Sequence, residues 1–226
     1  GPDMTTGVNV SAEDSSYIGA YSGAAAISKT GATDTSKFQA SLSGAVAVTA
    51  LDKDTISTLR NTTIAHADNV TNQTQNTGAQ VAVGLALGLE IGQRATAAAG
   101  INMGGSGSAN YVDSAVHAVM SGNTMSEGAL NVNNTAYDKD VQVGGGVAFE
   151  LAKGSAAAGA AISINDVDNS ILARMEGNTI GSNTALAGSV NNLAVSNLVQ
   201  VGTATSVGVL MNDGYLMGDV AIAVNM

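Results

Sequence analysis

The chain has no cysteine and no tryptophan, and its one proline is Pro2. Without cysteine there is no disulfide framework, no thiol chemistry and no Cys-based metal site. Aromatic residues make up only 3% of the 226 residues, as two Phe and five Tyr, so a core must be assembled from Val, Ile, Leu, Met and Ala. Charged residues are also sparse at 12%, which leaves Ser, Thr, Asn, Gly and Ala to cover much of the surface. The eight basic residues are scattered among 18 acidic ones, for a net charge of −10. Nucleic acid demands a basic footprint and is excluded as a partner, and an anionic membrane surface is disfavoured for the same reason. No apolar run approaches the roughly 18 residues of a spanning helix.

Pro2 sits in Gly1-Pro2-Asp3-Met4, which reads as a protease-cleavage and cloning scar over residues 1–4 and is set aside. The remainder, 5–226, is then expected to be a piece cut from a longer repetitive protein, so no signal peptide is expected within it. The lack of proline there suits strands that need nearly every backbone N–H.

What the chain has in quantity is glycine, 28 residues, together with alanine and a recurring pattern. A tail motif appears as Arg60-Asn61-Thr62-Thr63-Ile64, Gly122-Asn123-Thr124-Met125 and Gly177-Asn178-Thr179-Ile180. Its spacings are 125 − 64 = 61 and 180 − 125 = 55 residues. A period of this size points to stacked modules. Four units result, about 5–64, 65–125, 126–180 and 181–226, in one continuous repetitive domain.

Each unit opens on alternating sequence, clearest in Val81-Ala82-Val83-Gly84-Leu85-Ala86-Leu87-Gly88-Leu89. Period two means strand, with one bulky aliphatic face and one nearly bare face. Interspersed Gly and β-branched residues oppose the helix that alanine alone would favour. Turns are expected at 152–155, at Gly104–Ser108 and at Asn165–Ser170, where Gly, Asn and Asp tolerate tight corners. Stacked strands that wrap the aliphatic face inward give a β-solenoid, with Asn and Thr ladders at its corners. Long antiparallel hairpins are the rival arrangement. An outer-membrane barrel would need aromatic girdles that this composition does not supply.

The Asn-Thr-Ile tail, the polar stretch Ala129-Leu130-Asn131-Val132-Asn133, the Gly/Ala-rich run, Ile162-Ser163-Ile164-Asn165 and Ser170-Ile171-Leu172-Ala173 together resemble the repeat regions of large bacterial exoproteins. The similarity is to filamentous-haemagglutinin-like and leukotoxin-like adhesins of the type V secretion pathways, and it covers nearly the whole chain after residue 4. It implies a right-handed parallel β-helix, secretion to the bacterial outer cell surface, and a role in adhesion, biofilm or virulence. The expected function is that of a non-enzymatic passenger or stalk segment. Its partner would be a host-cell or bacterial surface receptor or glycan. The alternative is a leukotoxin- or haemolysin-associated segment acting on host cells.

Chemistry-bearing constellations are thin, and no catalytic, cofactor-binding or metal-binding residue is assigned. His66 and His117 each lie between small or apolar neighbours and read as surface positions on strands. Gly104-Gly105-Ser106-Gly107-Ser108 misses the Gly-x-Ser-x-Gly elbow, and Gly144-Gly145-Gly146 lacks the spacing of a phosphate loop. The acid pairs Asp52/Asp54, Asp138/Asp140 and Asp166/Asp168 hold too few ligands for a calcium loop and read as solvated corners. A β-helix lyase would need a basic catalytic residue, and only Arg60, Arg94 and Arg174 are available, far apart in sequence. Receptor binding is expected on loops at 68–76 and 104–110. The bare face through Gly84 and Gly146 reads first as covered by another layer of the same chain, and second as a flat wall for lateral self-association.

Overall fold

Alternation places almost all of the chain in strands. The computed structural model describes residues 7–30, 39–92, 100–126, 131–152, 156–181, 188–210 and 216–226. The scar at 1–4, Arg94 and the turn at 153–155 lie outside the described residues. The first coil comprises β1 (Gly7–Asp14), β2 (Tyr17–Thr30), β3 (Gln39–Arg60) and β4 (Thr63–Ile64). The second has β5 (Asn69–Asn76), β6 (Ala79–Gly92), β7 (Gly100–Ser121) and β8 (Thr124–Met125). The third has β9 (Asn131–Asp138), β10 (Val141–Ala152), β11 (Ala156–Glu176) and β12 (Thr179–Ile180). The fourth has β13 (Ser189–Ser196), β14 (Val199–Leu210) and β15 (Leu216–Asn225).

Equivalent strands of successive coils pair in parallel, which makes the molecule a parallel β-solenoid and not a set of antiparallel hairpins. Four sheets result: a short one (β1-β5-β9-β13), a middle one (β2-β6-β10-β14), a long one (β3-β7-β11-β15) and a corner ladder (β4-β8-β12). The long sheet forms one wall. The middle and short sheets, end to end, form the other.

The register explains the uneven repeat. Between the second and third coils the offset is 62 on the middle sheet, from Gly84 to Gly146, but 55 on the long sheet, from Ser106 to Ala161. The 62 − 55 = 7 missing residues fall between those two sheets, so the tail motif that follows also recurs after 55. The motif itself is the corner. Asn61, Gly122 and Gly177 hold φ of 51°, 65° and 59°, the left-handed region that Gly reaches freely and Asn tolerates.

The expected interior is inverted along most of the two walls. Ala82 and Ala86 are fully buried, whereas Leu85 between them is 50% exposed. Small side chains therefore face inward and the aliphatic rows face out. A Cβ added to Gly84 would lie 2.5 Å from the Gly107 carbonyl oxygen, and one on Gly146 would lie 2.9 Å from that of Ile162. The two walls approach to backbone contact, and no Val or Leu fits between them. Among the described residues, most inward bulky aliphatics gather where the short sheet, long sheet and corner ladder meet, with Val116 and Ile171 in a smaller cluster between the short and long sheets. Where the three meet, Leu59, Ile64, Val70, Met120, Met125 and Val132 form the main apolar cluster, joined by Val8, Val10, Met175 and Ile180.

Candidate functional site

Three kinds of site follow from this placement: inward polar ladders, a buried charge cluster, and the outer faces. The ladders occupy the seam between the walls. Asn72 Nδ2 donates to Asn134 Oδ1 at 2.8 Å, and Asn134 Nδ2 to Asn192 Oδ1 at 2.8 Å. Asn110 donates to Asn165, and Asn165 to Asn225, at 2.7 and 2.8 Å. Two of these amides also reach across to the facing wall: Asn134 to the Ala118 carbonyl at 3.0 Å, Asn110 to that of Val143 at 3.0 Å. At the corner, Asn123 Nδ2 donates to the Leu59 carbonyl at 2.9 Å and to Asn178 Oδ1 at 2.8 Å. These bonds fasten coil to coil and wall to wall. They are structural, as the small-polar corner residues imply.

The charge cluster joins residues far apart in sequence. Lys53 is 9% exposed. Its Nζ donates to Asn76 Oδ1 at 2.6 Å and lies 3.1 Å from both Asp140 oxygens and 3.8 Å from Asp14 Oδ2. Asn76 Nδ2 bonds to Asp138 Oδ1 and Asp140 Oδ2, both at 2.9 Å, and Asn169 donates to Asp138 Oδ2. Gly78 makes the room, since a Cβ there would lie 2.6 Å from Lys53 Nζ. Burial raises the Asp138 pKa, with the Asp140 charge adding to it and bonds from Asn169 and Asn76 and the Lys53 charge partly opposing. Asp138 and Asp140 are thus buried at the seam and not solvated corners. Sequence reading misses Lys53 because its partners come from three different coils.

A third buried carboxylate has no such partner. Glu150 on β10 is fully buried, and neither of its oxygens accepts a hydrogen bond. It rests on the bare backbone of Gly104 and Gly159, with Ser206 and Asp219 next to it. Burial, then the Asp219 charge, pushes its pKa up to about 7.

The remaining candidates scatter. Asp52, Asp113 and Asp168 stack in register as an exposed acid column on the long wall, with Asp54 and Asp166 facing the same way. His117 lies on β7 with Nε2 3.0 Å from Ser170 Oγ. His66 is exposed in the bend after β4, not on a strand. Arg174 pairs with Glu176, while Arg60 is exposed two strands away at the end of β3. Asp52, Asp113, Asp166 and Asp168 line one shallow outer groove, but the histidines and arginines do not join them there. Among the described residues, no group of three or more His, Asp or Glu is placed to hold a metal ion.

The expected binding loops are not loops. Residues 69–76 are strand β5, and 104–110 lie inside β7. Asn165–Ser170 likewise continues β11. Glycine and asparagine here serve close wall contact and ladders instead of turns. The bare face through Gly84 and Gly146 is covered by the long sheet of the same chain, the first of the two readings.

The outer faces therefore define the surface. The short sheet presents Asn69, Thr71, Gln73 and Gln75, then Asn131, Asn133, Thr135 and Tyr137. A shallow groove there is lined by Gln73, Asn133, Thr135, Tyr137, Asn191 and Leu193. The middle sheet presents aliphatic rows. No family model, no curated protein and no solved structure matches the chain.

Proposed function

We propose that this chain is a non-enzymatic passenger or stalk segment of a large bacterial surface adhesin, secreted to the outer cell surface. It contacts host cells or neighbouring bacteria through a receptor or glycan, or holds a binding tip away from the membrane. The observation that supports this reading is the in-register stack itself. Wide coils joined by Asn ladders make a stiff rod whose length grows with each coil. Surfaces of that kind suit spacing and attachment more than turnover. On this reading the polar outer face of the short sheet meets the ligand, because Asn, Gln, Thr and Tyr side chains offer sugar hydroxyls both donors and acceptors.

The test is saturable binding of the labelled chain to epithelial cells by flow cytometry, against an unrelated acidic β-solenoid. Competable binding that falls at least about tenfold in Asn133→Ala/Tyr137→Ala, by the loss of about 1.4 kcal/mol, supports attachment through this face. Binding no better than the control leaves the stalk role. Lysis of leukocytes by the purified chain would instead favour the leukotoxin-associated reading.

A further inference from the structure

The outer face of the middle sheet is apolar to a degree that a lone soluble surface seldom shows. Its outward rows run in register over the second to fourth coils, with Leu85 beside Val147, Leu87 beside Phe149 and Val207, and Leu89 beside Leu151 and Val209; the first coil continues them with Gly23, Ala25 and Ile27. No outward position from Tyr17 to Ile27, Ala79 to Leu89, Val141 to Leu151 or Val199 to Val209 carries a charge. Four strands at about 4.8 Å spacing, each contributing about 40 Å of length, make a face of roughly 750 Å². That exceeds the apolar patch of a typical monomer, about 300–600 Å². It matches the roughly 800 Å² that each partner contributes to a standard stable interface.

We propose that this face is the docking surface for a second copy of the chain, with the two middle sheets packed against each other. The argument rests on charge, flatness and area. A chain of net charge −10 repels its own copies except through a surface free of charge, and the middle sheet provides one. The long wall is free of outward charge only over the part that backs the middle sheet, around Leu42, Val46 and Ile162; beyond it the Asp52, Asp113 and Asp168 column, with Asp54 and Asp166, would meet its like across two such walls. The same net charge opposes docking on an anionic membrane. Rows that repeat at strand spacing interdigitate best with rows of equal pitch, which a second copy supplies by symmetry. The proposal is independent of the adhesin reading, since it concerns copies of this chain alone.

Sedimentation velocity of the full chain tests it. A dimer is expected, and Leu85→Lys/Val147→Lys/Val207→Lys should weaken it at least about a hundredfold, because each lysine must be desolvated to dock. The three positions already face solvent, so circular dichroism should stay that of the parent. Val46→Lys, 70% exposed on the long wall before substitution, should leave the dimer unchanged. Mixing the triple Lys variant with its triple Glu counterpart should restore association. Should the triple variants fail to fold, single reporters serve, because the chain has no cysteine. A bismaleimide should then join copies of Val147→Cys but not of Val46→Cys. A parent that stays monomeric at about 100 μM, far above a useful affinity, overturns the proposal. So does association that survives the lysines and fails to cross-link through Val147→Cys, which would place contact at the end coils. Binding to neutral lipid vesicles without self-association overturns it as well.

Discussion

At the scale of single residues, Glu150 is the side chain least matched to its surroundings. Its carboxylate is fully buried without a hydrogen-bond donor, and a buried ionised group in that state destabilises the fold. Burial and Asp219 raise the pKa from near 4.5 to about 7. The native state therefore holds the proton more tightly than the unfolded chain does. Below about 4.5 both states are protonated and the penalty for a buried charge is absent; as pH rises from there through 7, the native state must give up the proton and stability falls. Asp138, also raised by burial, acts in the same direction. Glu150→Gln removes the titration. It should raise stability at pH 8 by roughly 1–3 kcal/mol, the cost of an unsatisfied buried group, and flatten the decline between pH 5 and about 7.5. Urea denaturation at several pH values measures both effects. A variant with the parent's slope would locate the pH dependence elsewhere.

At the scale of strands and ladders, the same logic of partners applies along the stack. Asn134 is fully buried and sits in the middle of its ladder, within bonding reach of the Ala118 and Arg174 carbonyls and of both neighbouring asparagines. Asn134→Ala leaves several of these without a partner and should lower stability by roughly 2–3 kcal/mol. Denaturant titration checks it. The ladder stops at the first coil, where Val10 takes the place of Asn72 and Asn72 Oδ1 is left unpartnered. A glutamine ladder on the middle sheet, in which Gln142 Nε2 donates to Gln80 Oε1 at 3.1 Å, stops in the same way at Ile18, leaving Gln80 Nε2 without an acceptor. Much of this level is legible in sequence. The period of two in Val81–Leu89 gives the strands, and Asn123 and Asn178 in the tail motif give a ladder. Which face turns inward is not legible. The hydrophobic effect alone argues for Leu85 inside, and only the contact of Gly84 with the Gly107 backbone shows why it cannot be. Lys53 and Asp140 are likewise illegible as a pair. Their 87-residue separation becomes contact only through the register of three coils.

At the scale of the whole molecule, stability is a sum over neighbouring coils, but the coils do not contribute alike. The main apolar cluster draws Leu59, Ile64, Val8 and Val10 from the first coil, and among the described residues none of its members comes from the fourth. The fourth coil adds in-register pairing and ladder ends such as Asn192 and Asn225. Removing residues 188–226 therefore takes away a neighbour while leaving the cluster whole. The shortened chain should keep its β-sheet circular dichroism, with a lower denaturant midpoint and a smaller slope in keeping with its smaller buried surface. Removing residues 7–64 uncovers the second-coil members Val70, Met120 and Met125. Each such side chain is worth about 1.5–3 kcal/mol of burial, so this truncation should lose cooperative unfolding altogether. Equal damage from the two truncations would mean that strand pairing, and not the aliphatic corner, dominates the energy of the stack. Preferential loss from the first coil would place the folding anchor at the corner where three sheets meet. The middle sheet's outer face would then be free of any duty to the monomer's stability and available for contact between copies.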